Sequence, residues 1–245
     1  MGCTHKQNQD GFTLVEISIV MIIIGLLIGG TFGGMKLIEN MQVNKTVQDL
    51  KAIESAALTF KDTYGRLPGD MPNTAARLPS CTDAPCATGG NGNRTIGTAG
   101  SWMNPITDTS ENFTFWHHLQ AADLLSLGVS NTLDMTFGEG QPESSISAGI
   151  RVSDLTGVSG DGCRSWNRTI LFLTNTVSAH VDPETSVSCQ LLGGVDRKFD
   201  DGSPNSGLLV ASPMGPVRAC SATAACDSPY TQTGGSFGTY DLRGF

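Results

Sequence analysis

The run Asp10-Gly11-Phe12-Thr13-Leu14-Val15-Glu16 opens an apolar segment that continues to Met35, and Glu16 is the one charged residue inside it. A carboxylate at the centre of a lipid-facing helix costs about 2.5–3.5 kcal/mol on insertion scales, so such a residue needs a partner. Cysteine supplies a second chemistry. Of seven cysteines, Cys3 precedes the apolar segment, and Cys81, Cys86, Cys163, Cys189, Cys220 and Cys226 follow it. An even six fits three disulfides in an oxidising compartment. Cys81 with Cys86 and Cys220 with Cys226 each enclose a short polar loop, so the economical pairing is local and leaves Cys163 with Cys189. No Cys-x2-Cys pair or histidine at ligand spacing favours zinc over disulfides.

Other polar residues carry weaker patterns. Asp196, Asp200 and Asp201 are candidate oxygen ligands for calcium, but the string lacks the spacing of a defined loop. It also suits a turn capped through Asp201-Gly202 and Ser203-Pro204. His117 and His118 are adjacent, and neighbours on a helix do not face each other. They read as one packed and one solvated histidine, not as a metal pair. Asn44-Lys-Thr, Asn93-Arg-Thr, Asn112-Phe-Thr and Asn167-Arg-Thr match the glycosylation acceptor pattern. In a chain rich in Asn and Thr they read as chance matches. No nucleophile elbow, His-Glu-x-x-His helix, phosphate loop or dinucleotide fingerprint occurs. Neither an enzyme nor a cofactor is expected.

The elements that must position these residues follow from composition and periodicity. The chain has 245 residues, 39% hydrophobic, with 15 basic and 23 acidic side chains and a formal charge of −8. That argues against a nucleic-acid binder, which needs clustered Lys and Arg. Residues 12–35 form an apolar run of about 36 Å at 1.5 Å per residue, enough to cross a bilayer and too long for a cleaved secretory signal. Beyond it, Ile38, Met41, Leu50, Ile53, Ala57, Phe60 and Tyr64 fall mostly three or four residues apart, with Lys45, Gln48, Asp49, Lys51 and Glu54 between them. One helix is therefore predicted over Phe12–Tyr64, its second half packed on a globular head, with Gly65 at its end. Gly25, Gly29 and Gly33, and Gly30 and Gly34, repeat at four, which allows close helix–helix approach.

The head reads as α+β and rich in loops. A helix is expected over 112–128, with Phe113, Trp116, Leu119 and Leu124–Leu125 inward, and another from Asp182-Pro183-Glu184 carrying Val187, Leu191 and Val195. Strands are expected at AGIRVSDL, RTILFLTN and SGLLVAS, the second central in an antiparallel sheet.

Gly11-Phe12-Thr13-Leu14-Val15-Glu16, preceded by a short polar leader with Lys6 and followed by an unbroken apolar run, resembles the processing site of type IV pilins and type II secretion pseudopilins. FKDTYGRLPGDMPNTA, FWHHLQAADLL and VDRKFDDGSPNSG look like segments that recur in large pilin-like proteins. The resemblance implies a leader at 1–11, an assembly helix at 12–64 and a head at 65–245. It implies cleavage by a prepilin peptidase between Gly11 and Phe12, N-methylation of Phe12, and loss of Cys3 with the leader. Glu16 would then meet the N-terminal ammonium of a neighbouring subunit, and so set register in a fibre. Implied partners are the peptidase, other pilin or pseudopilin subunits and an inner-membrane assembly platform. The subunit would be stored in the inner membrane with its head in the periplasm, then enter a pilus or pseudopilus. The helix-breaking proline of many major pilins is absent, and a mature chain of 234 residues (245 − 11) is long for a bulk subunit. Both lean toward a minor or tip role. An uncleaved single-pass anchor displaying a disulfide-rich binding head is the alternative.

Overall fold

The structure is a computed structural model that describes residues 12–97, 107, 109–154, 158–159, 165–166, 169–175, 187–203, 207–212 and 235–242. The expected leader with Cys3 and Gly11, the cysteines Cys163, Cys220 and Cys226, and the expected helix start at Asp182–Glu184 lie outside them. The chain divides into two compact units, Met1–Met41 and Gln42–Phe245.

Helix α1 runs Leu14–Tyr64. In the first unit its described residues are exposed throughout. In the second, Val43, Val47, Leu50, Ile53, Ala57 and Phe60 recur at three or four residues and are buried. Burying each such side chain is worth about 1.5–3 kcal/mol, so this stripe anchors the helix in the head core. The buried stripe begins at Val43. Ile38 and Met41, expected to belong to it, are 57% and 62% exposed and lie in the first unit. Asp49, expected on the solvated face, is buried and accepts a bond from Lys45 Nζ at 2.5 Å, one turn back. Gly65 ends the helix as expected. Its φ of 68° is left-handed, and its N–H donates to Lys61 O at 2.8 Å.

After α1 the Pro68-Gly69 turn leads to a short helix α2 (Thr74–Arg77) and a disulfide loop. Helix α3 (Glu111–Ala121) is shorter than the expected 112–128. Asp123 stops it in the left-handed region at φ 59°, with Asp123 N–H bonded to Gln120 O and Leu124 N–H to Leu119 O. That pairing is the Schellman closure, here built without glycine. Leu124 and Leu125 still pack partly on the core, from outside the helix.

The sheet is antiparallel, in the order β1–β4–β7–β5, with β6 also paired to β7. Strand β1 (Gly149–Asp154) pairs with β4 (Thr169–Thr174), and Ile150 faces Leu173 across the ladder. All residues of both strands are buried, so neither face meets water. β4 is central, as its β-branched run implies. A separate hairpin joins β2 (Val158–Ser159) to β3 (Ser165–Trp166). Val187 lies in β5 (Val187–Ser188) and not in a helix, and α4 (Cys189–Phe199) starts just after it. β6 (Leu209–Ser212) matches expectation, whereas β7 (Gly235–Asp241) did not declare itself in the sequence. Tyr240 of β7 donates to Glu54 Oε2 on α1 at 2.6 Å, and its ring meets Phe199 of α4 edge-on at 4.8 Å.

Gly69 is a point of close approach. It has φ 82°, and a Cβ there would lie 2.3 Å from the carbonyl oxygen of Glu111. Gly69→Ala should therefore destabilise the head by about 2 kcal/mol or more in urea unfolding, from left-handed strain plus the clash. Gly65→Ala, with open space around the added Cβ, should cost only the strain, about 1 kcal/mol.

Candidate functional site

The N-terminal site is built from one turn of helix. Phe12 and Thr13 precede the first helical residue, Leu14. Thr13 N–H donates to Glu16 Oε2 at 2.8 Å, Thr13 Oγ1 donates to the same oxygen at 2.9 Å, and Glu16 N–H donates to Thr13 Oγ1 at 3.3 Å. This is a capping box, Thr at the N-cap and Glu three residues on, and it satisfies two backbone donors that a helix start otherwise leaves orphaned. Thus Glu16 has a partner inside its own chain. The sequence carries the signal as Thr-x-x-Glu ahead of an apolar run. Phe12 itself is 84% exposed. A Cβ added at Gly25, Gly29, Gly30, Gly33 or Gly34 would meet nothing within 4 Å, so the ridge of the apolar half is open.

In the head the structure joins Cys81 to Cys86, as expected from spacing. Cys189 is also disulfide-bonded, to a partner outside the described residues. The Asp196, Asp200 and Asp201 carboxylates come together with ligand atoms within 4.8 Å of one another. Two of them already serve the backbone. Asp200 Oδ2 accepts from the N–H groups of Leu208 and Leu209, and Asp201 Oδ1 accepts from Ser203 N–H at 2.8 Å. The arrangement works as a capped turn.

Both histidines of α3 are buried, so the expectation that one is solvated is corrected. The ring of His117 lies between Phe113 O at 3.0 Å and Ser130 O at 3.2 Å. His118 Nδ1 accepts the Gly69 N–H at 2.8 Å, so Nε2 carries the proton and donates to Cys86 O at 3.2 Å. One side chain thereby ties α3 to the Pro68-Gly69 turn and to the disulfide loop. Burial pushes the His118 pKa down to about 4 and lowers that of His117.

Two carboxylates complete this knot. Asp70 Oδ2 accepts Arg94 N–H at 2.9 Å, and Glu111 accepts Asn91 N–H at 2.9 Å and Gly97 N–H at 2.7 Å. Burial raises the pKa of both above the usual carboxylate range. The turn, the 89–97 loop and α3 are thus one hydrogen-bonded unit. Reading the sequence linked none of these residues, because the contacts span 14 to 49 positions.

Residues 6–32 match the family model described as the prokaryotic N-terminal methylation motif. The N-terminus of this chain is pilin-like. No curated protein and no solved structure matches the chain significantly. The match covers the N-terminal segment alone, and a motif of this kind is a signal for processing by prepilin peptidase. In keeping with it, α1 is long and apolar enough to cross a membrane, as storage before assembly requires.

His118 is neutral in the native head and takes a proton in the unfolded chain below about pH 6.5. Stability conferred by the neutral ring is therefore complete above that pH and is lost as pH falls toward about 4. The loss should be about 2 kcal/mol between pH 7 and pH 4.5, read from urea unfolding at the two pH values, and His118→Gln should remove most of this difference.

Proposed function

We propose that this chain is a minor pilin or pseudopilin, cleaved between Gly11 and Phe12, N-methylated at Phe12 and assembled into a type IV pilus or a type II secretion pseudopilus. The observation that carries the reading is the Thr13–Glu16 capping box at the start of an exposed apolar helix, inside the methylation motif. In the stored subunit the box supplies donors to the carboxylate without a second chain. On assembly the Glu16 carboxylate exchanges these for the N-terminal ammonium of a neighbour, a stronger attraction in a low-dielectric bundle. A wrongly seated subunit leaves that ammonium unpaired, which makes Glu16 a register device. The domain scheme is a leader at 1–11, an assembly helix at 12–64 and a head at 65–245. The head resides in the periplasm or outside, and the Cys81–Cys86 disulfide supports an oxidising location. The role is structural and non-enzymatic, at tip or shaft alongside other subunits and the assembly platform.

Expression with and without a prepilin peptidase, followed by intact mass and N-terminal sequencing, tests the reading. Loss of residues 1–11 with one added methyl on Phe12 is expected. A full-length N-terminus beside active peptidase would leave an uncleaved anchor with a binding head. Glu16→Leu should leave cleavage intact and lower incorporation into fibres by at least about tenfold, since breaking one buried ion pair costs about 3–5 kcal/mol. Sheared-fibre fractions compared by immunoblot give the ratio.

A further inference from the structure

Four Asn-x-Thr acceptor patterns occur in the chain, and the described residues present them very differently. Asn112 is buried, and its Nδ2 donates to Val152 O at 2.7 Å. Asn44 lies within α1, where residues two apart face different directions. Thr46 is accordingly turned away and fully buried, bonded to Gln42 O. Asn167 lies outside the described residues. Asn93 differs from all of them. It is exposed on the 89–97 loop, and Arg94, between it and Thr95, takes a left-handed backbone at φ 71°. That turn brings Thr95 back, so that Thr95 N–H at 2.9 Å and Thr95 Oγ1 at 2.7 Å both donate to Asn93 Oδ1. The amide nitrogen Nδ2 of Asn93 makes no hydrogen bond among the described residues.

We propose that Asn93 is an N-glycosylation site. The acceptor amide and the Thr hydroxyl are presented together on an exposed loop, which is what the acceptor pattern requires of a surface. The loop is also held in place by Asp70 and Glu111 through three backbone N–H groups, at Asn91, Arg94 and Gly97. The co-substrate is an oligosaccharide carried on a polyprenyl diphosphate. Asn93 Nδ2 attacks the anomeric carbon, the bond from that carbon to the phosphate oxygen breaks, the lipid diphosphate leaves, and one Nδ2 proton is released. The glycosylated side chain keeps its carbonyl oxygen, so both bonds from Thr95 survive. This rests on the proposed placement of the head, because donor and transferase act on the side of the membrane where disulfides form.

The test is to express the full-length chain in a host with an oligosaccharyltransferase and a lipid-linked oligosaccharide of known mass. Intact mass and peptide mapping then follow, with Asn93→Gln, Thr95→Ala and Asn44→Gln alongside. The expected result is one glycan mass on the peptide holding Asn93, lost in the first two variants and kept in the third. A chain that carries the Cys81–Cys86 disulfide but no glycan at Asn93 overturns the proposal, as does a glycan that persists in Asn93→Gln. A chain with neither disulfide nor glycan overturns the head's placement and this proposal with it. With active prepilin peptidase co-expressed, an uncleaved but glycosylated chain upholds the site and overturns the processing reading alone.

Discussion

A carboxylate at the start of an apolar helix has to be supplied with donors, and the donors of Thr13 and Glu16 satisfy one another. Everything functional at this end of the chain depends on that reciprocity. It lets an ionisable residue sit in the apolar segment without a resident countercharge. It also sets the first residue of α1 and leaves Phe12 ahead of the helix. A residue held only by local, exchangeable bonds is suited to changing partners. Under the proposed assembly, a buried salt bridge within the monomer would hold Glu16 too firmly to serve a second chain.

The head solves a different problem, that of giving shape to a chain with 30 glycines and long loops. Its sheet is buried on both faces at β1 and β4, and its polar loops are tied down by a few side chains of α3 and the Pro68-Gly69-Asp70 turn. Glu111 and His118 stand two helical turns apart on α3, and each bonds to a segment far away in sequence. Close packing without side chains at Gly69 and Gly90 makes room for these bonds. The Leu67-Pro68-Gly69-Asp70 and Phe115-Trp116-His117-His118 stretches are physically linked, since Gly69 N–H donates to His118 and Asp70 accepts from Arg94 N–H of the 89–97 loop.

The legible parts of the fold were those with a repeating signal. The apolar run, the stripe from Leu50 to Phe60, the β-branched run of β4 and the Gly65 stop were readable because local chemistry alone decides them. Strand β7 was not, because Gly235, Gly238 and Ser236 dilute the alternation that Phe237 and Tyr240 would show. Helix α3 stops at an aspartate in the left-handed region, where sequence rules look for glycine and so pointed to Gly128. The two histidines defeated the argument that adjacent residues point apart, because α3 is covered on enough sides to bury both. At the candidate site, Glu16 is legible as an anomaly, whereas its partner Thr13 is not, because a carboxylate in an apolar run suggests a countercharge and here hydrogen-bond donors are enough.

The disulfides differ in what they constrain. Cys81 and Cys86 are five residues apart. In the loop-closure model such a ring removes only about 2 kcal/mol of unfolded-chain entropy. The bridge at Cys189 is another matter, since the nearest cysteine available to it is Cys163, 26 residues away (189 − 163). Closing a loop of that size or larger is worth about 3.5 kcal/mol in the same model. A mild reductant acting on the first bond would loosen a surface segment whose backbone His118 still grips. Reduction of the second would release a restraint on β5 and α4, whose packing holds the middle of the head. Of the two, the Cys189 bridge is the one whose reduction would free the longer stretch of chain and lower the head's resistance to unfolding the more.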